Sequence, residues 1–101
     1  MIEIILTDVM LRNGNIDFPT HVKDIFPSDC FGTRSSRGTG TINLRFGAEE
    51  VVTYIRIKSS LTISPRKRFG SWFKSVSAKS GGRVLLKKIS ERTFTLEYFS
   101  V

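Results

Sequence analysis

Apolar residues recur at every second position in several short runs of this chain, and each run ends at a turn signal. Such alternation is typical of strands that bury one face, and clusters of Gly, Asn and Ser favour turns between them. No spacing for βαβ crossovers is present. The sequence predicts about six or seven strands in a mainly β fold, a mostly antiparallel barrel or open barrel. We expect one domain over residues 1–101, with strands in residues 2–6, 16–18, 41–46, 51–58, 83–89 and 93–99.

Two segments carry the apolar spacing of short helices. In residues 20–26, Thr20 is expected to cap one or two helical turns, and Pro27 ends them. In residues 69–76, four apolar side chains recur at intervals of three and four, so all of them face one side. We expect these four to pack in the core and not to stack on nucleotide bases: Phe69, Trp72, Phe73 and Val76.

The whole chain has a net charge of +7, and its positive charge is concentrated in the second half. Residues 1–50 contain five Lys and Arg against seven Asp and Glu, a balance of −2. Residues 51–101 contain eleven against two, a balance of +9. This segregation predicts a one-sided positive field, which attracts a polyanion or an acidic surface. A role in solubility alone would not require it.

The apolar segments do not indicate a membrane protein. No apolar run approaches the roughly 20 residues that cross a bilayer. Residues 1–6 contain Glu3 and no basic leader, so they do not read as a signal peptide. We therefore expect no membrane partner and an intracellular location, in the bacterial cytoplasm or nucleoid, or in the nucleus of a eukaryote.

The sequence predicts a non-catalytic chain without cofactor or metal. His21 and Cys30 are each the only residue of their type, which excludes an internal disulfide and the usual zinc sites. Gly38 to Gly40 lack the following helix that a phosphate-binding loop needs. A nucleophilic pair of His21 and Cys30 stays open as the alternative.

The basic clusters are the candidate binding residues. Arg56 and Lys58 share one face of a predicted strand, and residues 64–68 are expected to follow as a basic loop. Arg side chains bridge guanine edges, Lys neutralises phosphate, and Asn suits adenine edges. A solvated face is the alternative for each cluster. The candidate DNA-binding residues are Arg12, Asn13, Asn15, Arg56, Lys58, Ser60, Arg66, Lys67 and Arg68, with Arg34 and Arg37 as a further arm.

The order of these segments resembles a known DNA-binding family. Residues 18–27 are similar to a strand end followed by a helix that closes on Phe-Pro, and residues 68–85 resemble a second helix that leads into a Gly-containing turn and a strand. Residues 41–46, 51–56 and 93–98 look like the central and closing strands. The family is the B-three-like pseudobarrel of plant transcription factors and of the recognition domains of some type II restriction endonucleases.

The resemblance implies a seven-stranded open pseudobarrel and a mode of binding. In that family an N-arm and a C-arm clamp the major groove of duplex DNA, and they correspond here to residues 7–17 and 56–68. The sequence departs from the family in its N-arm, which has Arg12 as its one cation, and in its Gly81-Gly82 turn, which lacks an acid.

We therefore predict sequence-specific binding of double-stranded DNA by a monomer. The chain would be a small regulator or the recognition module of a restriction endonuclease, whose nuclease domain lies elsewhere. The alternatives are binding of single-stranded nucleic acid or RNA, which requires exposed aromatic side chains, and a protein-interaction module.

Overall fold

The computed structural model describes residues 1–33 and 39–100, without the side chain of Arg66. In this part of the chain, nine strands and three short helices follow one another. The strands are β1 (Ile2–Ile5), β2 (Ile16–Phe18), β3 (Phe31–Gly32), β4 (Ile42–Phe46), β5 (Glu49–Thr53), β6 (Ile55–Ile57), β7 (Leu61–Ile63), β8 (Arg83–Lys88) and β9 (Thr93–Phe99). The helices are α1 (Asp8–Asn13), a 3-10 helix (Thr20–Ile25) and α2 (Arg66–Ser75).

The strands form two mixed sheets. The five-stranded sheet has the order β1-β8-β9-β4-β5, and the four-stranded sheet has the order β2-β7-β6-β3. Within them β4 pairs with β9, and β3 with β6, in parallel, whereas the other pairs are antiparallel. The described strands form no closed barrel. The mainly β fold with short helices is therefore confirmed.

The strand count exceeds the prediction because one predicted strand is two and because β3 and β7 lie in segments where no strand was predicted. Residues 51–58 alternate throughout, but the chain leaves the first sheet after Thr53 and enters the second at Ile55. The turn between the predicted strands at residues 41–46 and 51–58 is also shorter than the four residues that those bounds leave for it. Phe46 already faces Glu49, and Gly47 adopts the positive φ of 58° that such a two-residue hairpin loop requires.

The apolar faces of both sheets and of α2 form the core. Ile42, Leu44 and Phe46 alternate inward from β4, as the sequence predicts. The Phe46 ring lies 5.0 Å from Phe69 and 5.2 Å from Trp72 of α2, measured between ring centroids. Phe69, Trp72 and Phe73 are buried and Val76 packs against the core, which confirms this face as core.

Two predicted loops contain helices. The segment between the predicted strands at residues 2–6 and 16–18 contains α1, and the expected basic loop at residues 64–68 contains the first turn of α2. Thr20 also does not cap the 3-10 helix. It is the first residue of that helix, which follows Pro19 and has no side-chain cap. Among the described residues, no helix has the length and apolar character needed to cross a membrane.

Candidate nucleic-acid interface

Helix α1 fixes the first side of the candidate site through its two caps. The Thr7 hydroxyl accepts a hydrogen bond of 3.2 Å from the Met10 N–H, which satisfies one free donor of the first turn. Gly14 ends the helix with a φ of 68°, and its N–H donates to the Met10 carbonyl oxygen at 2.9 Å. Because Met10 is buried, the last turn holds Arg12 and Asn13 at the exposed end.

The four-stranded sheet provides the second side. Asp17 of β2 faces Thr62 of β7, and Thr62 in turn faces Arg56 of β6. Directly opposed residues project to the same face of a sheet, so these three side chains form one row across three strands. Gly32 of β3 follows Arg56 in the register and adds no side chain beside it.

These two sides enclose the basic cleft, a polar depression with a volume of about 680 Å³. Among the described residues, its lining contains three cations and one carboxylate, a balance of +2, and no apolar or aromatic side chain. The lining residues are Arg12, Asn13, Asn15, Asp17, Arg56, Lys58, Ser60, Thr62 and Ser64. A second depression of about 180 Å³ shares Arg56 with the cleft and extends to Tyr54.

Six of the nine residues singled out from the sequence line the basic cleft, namely Arg12, Asn13, Asn15, Arg56, Lys58 and Ser60. Three lining residues were missed: Asp17, Thr62 and Ser64. Thr62 separates the buried Leu61 and Ile63. Their alternation was the available signal, but the polar residues around it made residues 59–68 look like a loop.

The other three predicted residues lie on α2, and neither Lys67 nor Arg68 lines the cleft. The Arg68 Nη1 donates to Glu49 Oε2 at 2.7 Å, which holds Arg68 at the β4–β5 hairpin. Lys67 is exposed and does not line the cleft, and the side chain of Arg66 lies outside the described part. The predicted arm with Arg34 and Arg37 falls in residues 34–38, also outside the described residues.

The floor of the cleft has its own hydrogen bonds. The Thr62 hydroxyl donates to Asp17 Oδ1 at 2.7 Å, and the Asn15 Nδ2 approaches the same oxygen at 3.5 Å. The Asn15 Oδ1 is buried and has no partner within the described chain. Asn15 therefore lies against the floor, whereas Asn13 is exposed at the rim.

The three cations of the cleft form no ion pair with a carboxylate of the described residues. Four ion pairs occur among the described residues, and all involve other cations: Arg45, Arg68, Arg83 and Arg92. Arg12, Arg56 and Lys58 are therefore available to an external anion.

Cys30 has the environment of an inert thiol. Its side chain is fully buried, and its S–H donates to the Pro27 carbonyl oxygen at 3.0 Å. Burial, with a smaller effect of the Asp29 charge, raises the pKa of the thiol to about 11. An activated cysteine needs the opposite shift, so the alternative of a nucleophilic Cys30 is not supported. In the described chain, no group of three or more His, Cys, Asp and Glu could hold a metal ion.

Comparison with known proteins shows a similarity of fold. No protein-family model matches the chain, and no curated protein matches it; the resemblance to the B-three-like family stays a prediction. A solved structure, the N-terminal domain of Helicobacter pylori LlaJI.R1, matches 99% of this chain and 87% of its own with a TM-score of 0.67 and 14% sequence identity. At this identity the likeness concerns the fold alone, so the chain shares its fold with the LlaJI.R1 N-terminal domain.

Proposed function

We propose that this domain binds double-stranded DNA in the major groove through the basic cleft, and that it catalyses no reaction of its own. The observation that carries the proposal is the set of unpaired cations, Arg12, Arg56 and Lys58, in a wholly polar depression. Small-molecule pockets are mostly apolar. A polar, positively charged depression is better suited to phosphate and base edges.

The residue types in the cleft match both parts of DNA recognition. Lys58 and Arg12 can neutralise phosphates, and Ser60 can fix the register by a hydrogen bond to the backbone. Arg56 is half-buried in the sheet, so its head group is held more firmly than that of a rim residue. A held guanidinium can bridge the two acceptors of a guanine, and Asn13 can bond to an adenine edge.

The shape of the site also fits a major groove. Strands β6 and β7 form an antiparallel ribbon, in which the Lys58 N–H bonds to the Ser60 carbonyl oxygen at 3.0 Å to close the tip. The major groove is about 12 Å wide and admits a two-stranded ribbon. The domain measures 34 × 26 × 24 Å, which is comparable with one turn of duplex, about 34 Å.

The placement of the aromatic side chains favours duplex over single strands. Single-strand binders stack bases on exposed aromatic rings. Here seven aromatic side chains are buried, and the lining of the basic cleft contains none. Binding of single-stranded nucleic acid or RNA is therefore the weaker candidate, as is a protein-interaction module.

The fold neighbour gives further support. LlaJI.R1 is a restriction-modification component, and its matched part is an N-terminal domain. We propose that the present chain is a recognition unit, either of a restriction endonuclease with its nuclease domain elsewhere or of a small regulator. It would act as a monomer inside the cell. Incubation with plasmid DNA and Mg²⁺ should leave the DNA intact; cleavage would refute the non-catalytic assignment.

The test is fluorescence-anisotropy binding to a randomised 20-base-pair duplex, to its single strands and to matching RNA, each at two salt concentrations. We expect tighter binding to the duplex, with affinity that falls as salt rises because counterions are released from phosphates. Equal affinity for all three would reduce the site to a non-selective basic surface. Absence of duplex binding at low salt would refute the proposal.

A further inference from the structure

One lining residue does not belong in a site for a polyanion. Asp17 is the only carboxylate among the nine residues of the basic cleft. It is half-buried in β2, and it belongs to the same cross-strand row as Arg56. Close to phosphates a carboxylate lowers affinity through like-charge repulsion. Its position therefore calls for a partner that is a hydrogen-bond donor.

The carboxylate is held in place on one side only. Asp17 Oδ1 accepts the bond from the Thr62 hydroxyl, and Asn15 Nδ2 approaches the same oxygen. No donor in the described part of the chain reaches Asp17 Oδ2. A side chain fixed through one oxygen presents the other to the cleft as a positioned acceptor.

The base edges of the major groove differ in what they offer to such an acceptor. Guanine presents two acceptors and thymine one acceptor with a methyl group, so both repel a carboxylate. Adenine presents an amino donor next to the N7 acceptor, whereas cytosine presents its N4 amino donor alone. Cytosine is therefore the base that a lone carboxylate oxygen selects best.

We propose that Asp17 is a specificity-determining residue that accepts a hydrogen bond from the N4 amino group of a cytosine in the major groove. This inference rests on the proposed function, because it requires duplex DNA in the basic cleft. Asp17 lowers affinity for DNA in general and raises it for duplexes with a cytosine at one position.

The test compares duplexes selected from a random pool by the wild-type protein and by Asp17→Asn. Asparagine keeps the size of the side chain and can still accept from Thr62 through its oxygen, but it then presents an NH₂ donor to the cleft in place of the acceptor oxygen. We expect the wild type to require C·G at one position by roughly 5- to 150-fold, and Asp17→Asn to lose that requirement with the rest of the site unchanged. Glu97→Gln is the matched control, because it removes an exposed carboxylate of β9 outside the cleft.

A second variant and a modified DNA make the test independent of one substitution. Asp17→Ala should bind non-specific duplex several-fold more tightly at low salt, because the repulsion of phosphates is gone, while it loses the C·G requirement. For the wild-type protein, a selected duplex whose cytosine lacks the 4-amino group should lose the same factor of roughly 5 to 150.

The outcomes separate this inference from the function on which it rests. If the wild type selects a site and Asp17→Asn selects the same site with equal discrimination, Asp17 does not read a base, and the proposed function stands. If loss of the 4-amino group leaves affinity unchanged at every cytosine of the site, the same conclusion holds. If the wild-type protein binds no duplex, both proposals fail.

Discussion

Arg56 has a backbone position fixed by the sheet and a guanidinium group without an ion pair in the described chain. It lies between Thr62 and Gly32 in the register of the four-stranded sheet, and no carboxylate in the described chain pairs with it. Arg68 is the opposite case, since it is committed to Glu49 at 2.7 Å. Both were candidates from the sequence, and their difference comes from tertiary position, which the local pattern does not contain.

The contrast between these two arginines gives a matched prediction. Arg56→Ala should weaken duplex binding, with a loss of about 1–3 kcal/mol at one base position, or a decrease of about one in the salt slope if Arg56 contacts phosphate. Arg68→Ala should leave affinity close to that of the wild type, because Arg68 is outside the cleft. Anisotropy titrations at several salt concentrations measure both; equal losses for the two variants would contradict the assignment of the cleft.

Asp29 and Arg92 connect distant parts of the chain next to the core. Arg92 Nη2 donates to Asp29 Oδ2 at 2.7 Å, and its Nη1 donates to the Thr41 carbonyl oxygen at 3.0 Å. This hydrogen bond, opposed by partial burial and assisted by the charge of Arg92, keeps the pKa of Asp29 below its ordinary value of 3.8. The pair ties the segment before β3 to the starts of β4 and β9.

A lowered carboxyl pKa predicts a dependence of stability on pH. The folded state binds the Asp29 proton less tightly than the unfolded state, so its contribution is complete above the ordinary value of 3.8 and is lost as pH falls through the lowered pKa. Asp29→Asn should therefore lower the Tm at pH 7, and the gap to wild type should narrow below about pH 4. A gap that stays constant down to pH 2 would show that Asp29 acts through its shape alone.

At the scale of elements, alternating apolar residues predict several strand pairs, whereas helix α1 is marked in the sequence only by its caps. The final hairpin, β8 and β9, and the pairing of β4 with β5 follow directly from period-two alternation. Helix α1 was missed because it buries only Met10, so its six residues carry no apolar periodicity. The sequence signal for this helix is the pair of caps: Thr7 favours a helix start, and Gly14 favours a helix end seven residues later.

A glycine at the end of α1 and a glycine within α2 give a stability prediction in which one substitution is the control for the other. Gly14→Ala should destabilise the fold by about 1–2 kcal/mol, because a β-carbon is disfavoured at a φ of 68°. Gly70→Ala, the same substitution within α2, should stabilise it by about 0.5–1 kcal/mol, since no atom lies within 4 Å of the added carbon. Urea unfolding at constant m-value measures both, and a change of the same sign at the two positions would contradict this reading.

At the scale of the whole molecule, the charge of the two halves does not translate into two faces. Among the described side chains of residues 51–101, Arg56 and Lys58 are the cations that line the basic cleft. Three others lie on β8 in the five-stranded sheet, and one of these three, Arg83, forms an ion pair with a carboxylate, as Arg68 and Arg92 also do. The cleft draws residues from both halves because β2 pairs with β7 across the chain, and no count along the sequence predicts that pairing.

The most direct test of the central claim is an NMR titration of the ¹⁵N-labelled protein with a selected DNA duplex, which reports where the DNA lies. We predict that the largest amide shift changes fall on residues 12–17 and 56–64, on both sides of the basic cleft, with little change in α2 beyond its first turn or in β8 and β9. Changes concentrated on β8, near Lys87 and Lys88, would place the DNA on the other sheet and contradict the account.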